Sequence, residues 1–415
     1  MNKLFLFLII FLLCQKTTLT AQMSLDALQK NTSDSTKVMQ DALTHERDLV
    51  DVFHWLANKR KHKHLDKPKT KTEAVHFAFV PGGGYSLQTG VAVAFAANTV
   101  FYTNKNDETR QSTVQTSIAF TQKKQIIVPL AANIWSKNGN YNFISDIRYM
   151  NYPSATFGLG ARSRIKNESD IDFNYLRFHQ SVLRKMTPNL FAGVGIYYDR
   201  FWKIQELNPT VGTTTSFERY GLTPSETATG INLQAVFDNR ENPVNATQGW
   251  YVSARFRTNK TAFGSNANWD QTILEIKKYL PLSKNSRHVL ALWSYNWFTT
   301  AGKPPYLMLP STGWDDFFNI GRGYLQGRYR AQNMSYLEAE YRFPITHNGL
   351  FGGVVFANAQ TFSKNINQQY QSLIPGYGLG LRLKLNKHSA TNLCVDYGWG
   401  KDGSGGVFVN LGEVF

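Results

Sequence analysis

GYGLGLRLKLNKHSATNLCVDYGWGKDGSGGVFVNLGEVF, residues 376–415, decides the fold. Tyr377, Leu379, Leu381, Leu383 and Leu385 fall on one face of an extended chain, and Gly378, Gly380, Arg382 and Lys384 on the other. Leu393, Val395, Tyr397 and Trp399 then alternate with Asn392, Cys394, Asp396 and Gly398. Successive side chains of a strand point to opposite faces, so each stretch reads as a strand with one apolar and one polar face. Burial against a soluble core would also give alternation. But each strand is about ten residues long with an aromatic near an end, the length of a tilted bilayer crossing. The polar face then lines a lumen.

The same period runs upstream. Leu337, Ala339, Tyr341 and Phe343 oppose Tyr336, Glu338, Glu340 and Arg342. Trp250, Val252, Ala254 and Phe256 oppose Ser253, Arg255 and Arg257. Such segments lie near 91–103, 111–122, 125–136, 141–149, 155–164, 172–183, 189–201, 226–237, 249–257, 269–280, 287–298, 333–343, 350–361, 376–385, 390–399 and 406–415. The expected fold is all-β: a transmembrane antiparallel β-barrel of about 16 strands over residues 76–415. Closure is required, because an open edge would leave unpaired backbone groups in hydrocarbon. An even count returns the chain to the side on which it began, and puts long extracellular loops near 202–225 and 299–332. In the last strand Val407, Val409, Leu411 and Phe415 share a face that Glu413 interrupts. A terminal aromatic on such a strand makes Phe415 the candidate C-terminal signal for barrel assembly.

The totals agree. The 415 residues are 42% hydrophobic and 14% aromatic, with a net charge of +16. Mean hydropathy is −0.34, which excludes a bundle of apolar helices. The basic charge alone would also suit a soluble nucleic-acid binder, but the strand pattern and the start of the chain argue against nucleic acid as a partner. Cys14 and Cys394 are the two cysteines. Cys14 falls in the segment expected to be removed, which leaves Cys394 without an intramolecular partner.

Residues 1–21 read as a signal peptide. Lys3 is followed by an apolar run from Leu4 to Leu13, and Leu19-Thr20-Ala21 ends small before Gln22. Residues 22–75 read as a periplasmic helical arm and a basic linker. Val38, Ala42, Leu49, Val52, Phe53 and Leu56 fall at helical spacing, giving an amphipathic helix over about 35–60. Residues 59–71 hold seven Lys or Arg against Asp66, a net of +6. A solvated linker is one reading. The other is attraction to anionic headgroups of outer-membrane lipids, with Lys59, Arg60, Lys61 and Lys63 as candidates. His62 and His64 lack further ligand residues around them, so no metal and no cofactor is expected.

Three stretches carry a resemblance: DNRENPVNATQGWYV (238–252), GRGYLQGRYRAQNMSYLEAEYRFPI (321–345) and the C-terminal 376–415. Together they resemble the BamA/TamA-type outer-membrane proteins, also called the bacterial surface antigen family. The resemblance covers the barrel. It implies sixteen strands and a sixth extracellular loop folded back into the lumen, whose Arg-Gly-Tyr or Arg-Gly-Phe tip pairs with acidic residues of the wall. Here the tip is Arg322-Gly323-Tyr324 and the acidic partner Glu340. The second partner in that family is the Asp of Phe-x-Asp-x-Gly. This chain has Phe356-Ala357-Asn358-Ala359-Gln360, so Asn358 stands where the carboxylate is expected. The resemblance therefore implies an inner-loop lock resting mainly on Glu340. On residue type alone, Arg322 also reads as a solvated loop cation. Asp238, Arg240, Asn242 and Pro243 read as a structural turn. No POTRA domain is legible between the signal and the barrel.

No Gly-x-Ser-x-Gly elbow, His-Glu-x-x-His or P-loop is present. His179, His288, His347 and His388 are scattered and read as interface or turn residues, not catalysts. The expected function is non-enzymatic: assistance in assembly or export of outer-membrane proteins or lipids, with assembly subunits or client barrels as partners. The alternatives are a passive pore, and a barrel enzyme or structural partner in an outer-membrane complex.

Overall fold

The computed structural model describes residues 46–49, 51–52, 76–104, 110, 112–207, 214–221, 223–282, 287–363, 371–387 and 390–415. The chain divides into two units, Met1–Arg47 and Asp48–Phe415, and the barrel belongs to the second. Residues 1–21, His62, His64 and the candidates Lys59, Arg60, Lys61 and Lys63 lie outside the described residues, as does His388. Of the expected helix over 35–60, Leu49, Asp51 and Val52 are described and helical. Asp48 begins that turn. Its Oδ1 accepts from Asp51 N at 2.9 Å, and Asp51 Oδ2 accepts from Asp48 N at 3.1 Å, which satisfies two helix-start donors reciprocally.

The strands are β1 (His76–Ser86), β2 (Gly90–Phe101), β3 (Ser112–Thr121), β4 (Ile126–Trp135), β5 (Tyr141–Asn151), β6 (Ser154–Thr156), β7 (Ser169–Thr187), β8 (Leu190–Leu207), β9 (Ser225–Asp238), β10 (Gly249–Asn259), β11 (Trp269–Pro281), β12 (Val289–Gly302), β13 (Asn333–Pro344), β14 (Phe351–Ser363), β15 (Ile374–Asn386), β16 (Thr391–Gly400) and β17 (Gly405–Leu411). Short β6 continues β5 past Tyr152 and Pro153, and both pair with β7. The result is a closed antiparallel barrel of sixteen staves, each hydrogen-bonded to the next in chain order.

Alternation decides the two faces. On β15, Tyr377, Leu379 and Leu381 are 60%, 53% and 57% exposed, while Arg382 is 4% exposed. Phe95, Phe120, Phe143, Phe178, Ile196 and Leu337 likewise stand outward. So broad an apolar surface suits lipid, not water. Among the described residues no helix is long and apolar enough to cross a membrane.

Two segments differ from expectation. β1 falls outside the sixteen expected segments, the first of which starts near residue 91, yet all eleven of its residues pair with β2. The expected strand over 155–164 stops at Thr156. From there the chain bends over the lumen, where Gly160 N donates to Arg330 O at 2.7 Å. Bonding to the inner loop replaces ladder pairing there. The two differences offset, so the number of staves stays sixteen. The loops are also shorter than expected, since β8 runs to Leu207 and β12 to Gly302.

Candidate site: an inner loop, a folded tail and a weak seam

The segment 303–332 between β12 and β13 does not stand out in solvent. It is a hairpin: Ser311 bridges Arg330, Thr312 N donates to Tyr329 O at 3.0 Å, and Gly327 N donates to Thr312 O at 2.8 Å. Tyr306, Leu309, Trp314, Ile320 and Tyr329 are buried on it, packed with wall residues that include Phe173, Trp269 and Phe362. These side chains roof the lumen.

The loop tip holds Arg322, which is 1% exposed. Its Nη1 lies 2.6 Å from Asp396 Oδ2 on β16, and its Nη2 lies 2.6 Å from Glu340 Oε2 on β13. Nη2 also donates to Glu338, and the guanidinium carbon sits 3.6 Å from the centre of the Phe356 ring. Arg suits this place because its fork reaches several carboxylates at once and stacks on an aromatic face. Burial opposes its charge, but Glu338, Glu340 and Asp396 outweigh that and raise its pKa well above the usual value. Gly323 has φ +102°, and a Cβ there would come within 2.8 Å of Trp399 O, so the wall permits no side chain. Ser404 Oγ donates to Gly323 O at 2.7 Å. Tyr324 OH accepts from Lys401 N at 2.7 Å and donates to Pro375 O.

The expectation of one main carboxylate needs correction. Glu338 and Asp396 join Glu340 around Arg322. Asn358 takes no part in charge pairing; its Nδ2 donates to Arg322 O at 3.0 Å. Alternation had put Glu338 and Asp396 on the polar face, but it could not pair them across strands. Asp238 and Arg240 pair at 2.9 Å, as a turn residue set should.

Phe415 also differs from expectation. β17 ends at Leu411, and Gly412 at φ +84° turns the chain inward. Glu413 Oε2 accepts from Arg382 Nε at 2.8 Å, and Arg342 Nη2 donates to the main-chain oxygen of Phe415 at 2.8 Å. The Phe415 ring stacks on Trp293, with centroids 5.2 Å apart. A carboxylate on an apolar outer face would be costly in lipid, and two lumen arginines draw Glu413 inward, taking Phe415 with it. Glu340 links tail and tip: its Oε1 accepts from Arg342 Nε at 2.7 Å while its Oε2 faces Arg322.

The tail leaves β17 with seven residues. β1 pairs with β17 only at Ser86 and Phe408, whereas it pairs with β2 along its whole length. This is the weakest stave junction in the wall.

The Omp85 superfamily domain matches residues 82–415. The chain belongs to the Omp85 superfamily. It is a bacterial outer-membrane barrel. Its fold is similar to BamA from Haemophilus ducreyi lacking POTRA domains 1–3, at 14% identity and TM-score 0.53, covering 82% of this chain and 68% of that one. CdiB from Acinetobacter baumannii matches at 13% identity and TM-score 0.52, covering 82% and 60%. CdiB from Escherichia coli matches at 10% identity and TM-score 0.54, covering 84% and 63%. Comparison with curated proteins by sequence gives no match. The two CdiB chains are each matched over less than two thirds of their length.

Within this Omp85 barrel His179 and His288 are held by neighbours. His179 Nε2 lies 2.9 Å from Asp199 Oδ2 with its ring stacked on Tyr197, and His288 Nδ1 lies 2.7 Å from Tyr341 OH. Among the described residues no group of three or more His, Cys, Asp or Glu could hold a metal ion.

Proposed function

We propose that this Omp85 barrel assists insertion or export of outer-membrane proteins or lipids, acting through the β1–β17 seam. One observation carries the reading: the ring closes at that seam through the single pair Ser86 and Phe408. Unpaired strand edges template pairing with another chain, so a short seam offers an edge to a client strand. The Arg322–Tyr324 tip, with Glu340 and Asn358, then serves as a lock that braces the wall while the seam works. Phe415 serves as the C-terminal barrel signal before it folds into the lumen. Lys59, Arg60, Lys61 and Lys63 serve to attract anionic headgroups or an acidic partner subunit. The roofed lumen speaks against a passive pore.

A disulfide across the seam tests this. A Cβ built on Gly84 stands 3.8 Å from Val409 Cβ, the spacing a disulfide needs. Cys394 is buried and does not compete. Gly84→Cys with Val409→Cys, oxidised, should lose insertion of unfolded client barrels into proteoliposomes and regain it on reduction. Full activity of the cross-linked form would defeat the proposal.

A further inference from the structure

The inner loop touches a second charged wall, opposite in sign to the one that holds Arg322. Asp316 precedes the tip on the same loop. Its Oδ2 lies 2.7 Å from Arg255 Nη1 on β10, and its Oδ1 lies 3.6 Å from Arg177 Nη1 on β7. Arg148 on β5 donates from Nη2 to Asp316 O at 2.6 Å. Three staves thus converge on one loop residue.

The turn that presents Asp316 is built for that place. Asp315 accepts from Asn319 N and Ile320 N, each at 2.8 Å. Phe318 adopts φ +60°, a region that non-glycine residues avoid unless packing holds them there. Its ring is held by Arg148 at 5.4 Å and Trp314 at 5.9 Å.

Charge balance explains why a carboxylate is wanted. Arg148 and Arg177 pair with Asp146, Arg177 and Arg257 pair with Asp199, and Arg255 joins them only through Asp316, so these wall side chains are four cations against two carboxylates. Across the lumen, Glu338, Glu340 and Asp396 of the wall and Glu413 of the folded tail face Arg342 and Arg382, so that side without Arg322 is negative by two. The loop supplies Asp316 to the first and Arg322 to the second. Buried like charges repel strongly unless countered.

We propose that the arginine cluster of β5, β7 and β10 is a carboxylate-binding socket whose resident ligand is Asp316, making the inner loop a cross-brace tied to two walls of opposite charge. The socket takes a carboxylate because a guanidinium fork matches two oxygens and cannot be deprotonated. The brace is independent of whether the seam admits polypeptide, since its test reads ion flow and not insertion.

The experiment is single-channel recording of the full-length protein in planar bilayers under a KCl gradient. Asp316→Asn should raise conductance and shift the reversal potential toward chloride, because the uncovered wall is positive. Arg322→Ala should raise conductance and shift it toward potassium, because the uncovered wall is negative. The pair Asp316→Arg with Arg255→Asp should restore closed, wild-type behaviour. Wild-type conductance in Asp316→Asn, or a shift toward potassium, overturns the socket. Should Asp316→Asn fail to fold, the charge swap decides: a folded, closed swap supports the socket, and a swap no better than the single variant overturns it.

Discussion

Arg322 Nη1 stands 2.6 Å from Asp396 Oδ2, which ties the loop before β13 to β16, the stave next to the seam strand β17. The tie lies in the barrel interior, where removing one partner leaves a buried charge without compensation. Losing one member of a buried ion network costs about 3–5 kcal/mol. Arg322→Ala leaves Glu338 and Asp396 short of a cation and should lower the urea midpoint of unfolding in detergent by a comparable free energy. Arg322→Lys should recover only part, because an ammonium cannot fork to three carboxylates. Equal midpoints for Arg322→Ala and wild type would sink the lock.

Glu340 makes a sharper claim, since it faces both Arg322 of the tip and Arg342, which holds Phe415. Tip and tail should therefore be energetically coupled. A double-mutant cycle of Arg322→Ala with Phe415→Ala should depart from additivity by about 0.5–3 kcal/mol in Glu340 protein. The departure should vanish in Glu340→Gln. Additive effects in both backgrounds would show two independent anchors.

Much of this architecture was legible from alternation. Leu379 and Arg382 fall on opposite faces in the sequence and do so in the barrel. Alternation gives each residue a face but no partner. That is why Glu338 and Asp396 were placed on the polar face while their meeting at Arg322 was not foreseen. β1 carries no such alternation, because Gly82-Gly83-Gly84 offers no side chains to read, and it is held instead by its ladder to β2. The Asp316 socket left no local signal, because Arg148, Arg177 and Arg255 come from separate strands and their loop partner is remote in sequence.

The inward tail depends on Gly412, whose φ of +84° disfavours any residue with a Cβ. Gly412→Val should destabilise the lumen-docked tail by about 1–3 kcal/mol. The chain after Leu411 would then be freed, and Phe415 would leave the Trp293 stack. Tryptophan fluorescence should report that departure, and the tail should become open to carboxypeptidase. A Gly412→Val protein as protected as wild type would mean that the ion pairs of Glu413 hold the tail without help from the turn.

The Asp316 tie makes a pH prediction. Burial favours the neutral acid, but Arg255, Arg177 and Arg148 outweigh it and hold the carboxyl well below the usual range. An aspartate depressed in the folded state contributes stability that is present above its unfolded pKa, about 3.9, and is lost only as pH falls through the lower folded value. Lowering pH from about 7 to about 5 stays above both values, so the socket should remain filled. Wild-type conductance should therefore be the same at the two pH values, and Asp316→Asn should exceed it by the same ratio at each. If wild-type conductance rises toward the Asp316→Asn level across that interval, Asp316 is being protonated there. The arginines would then not be holding it as a carboxylate.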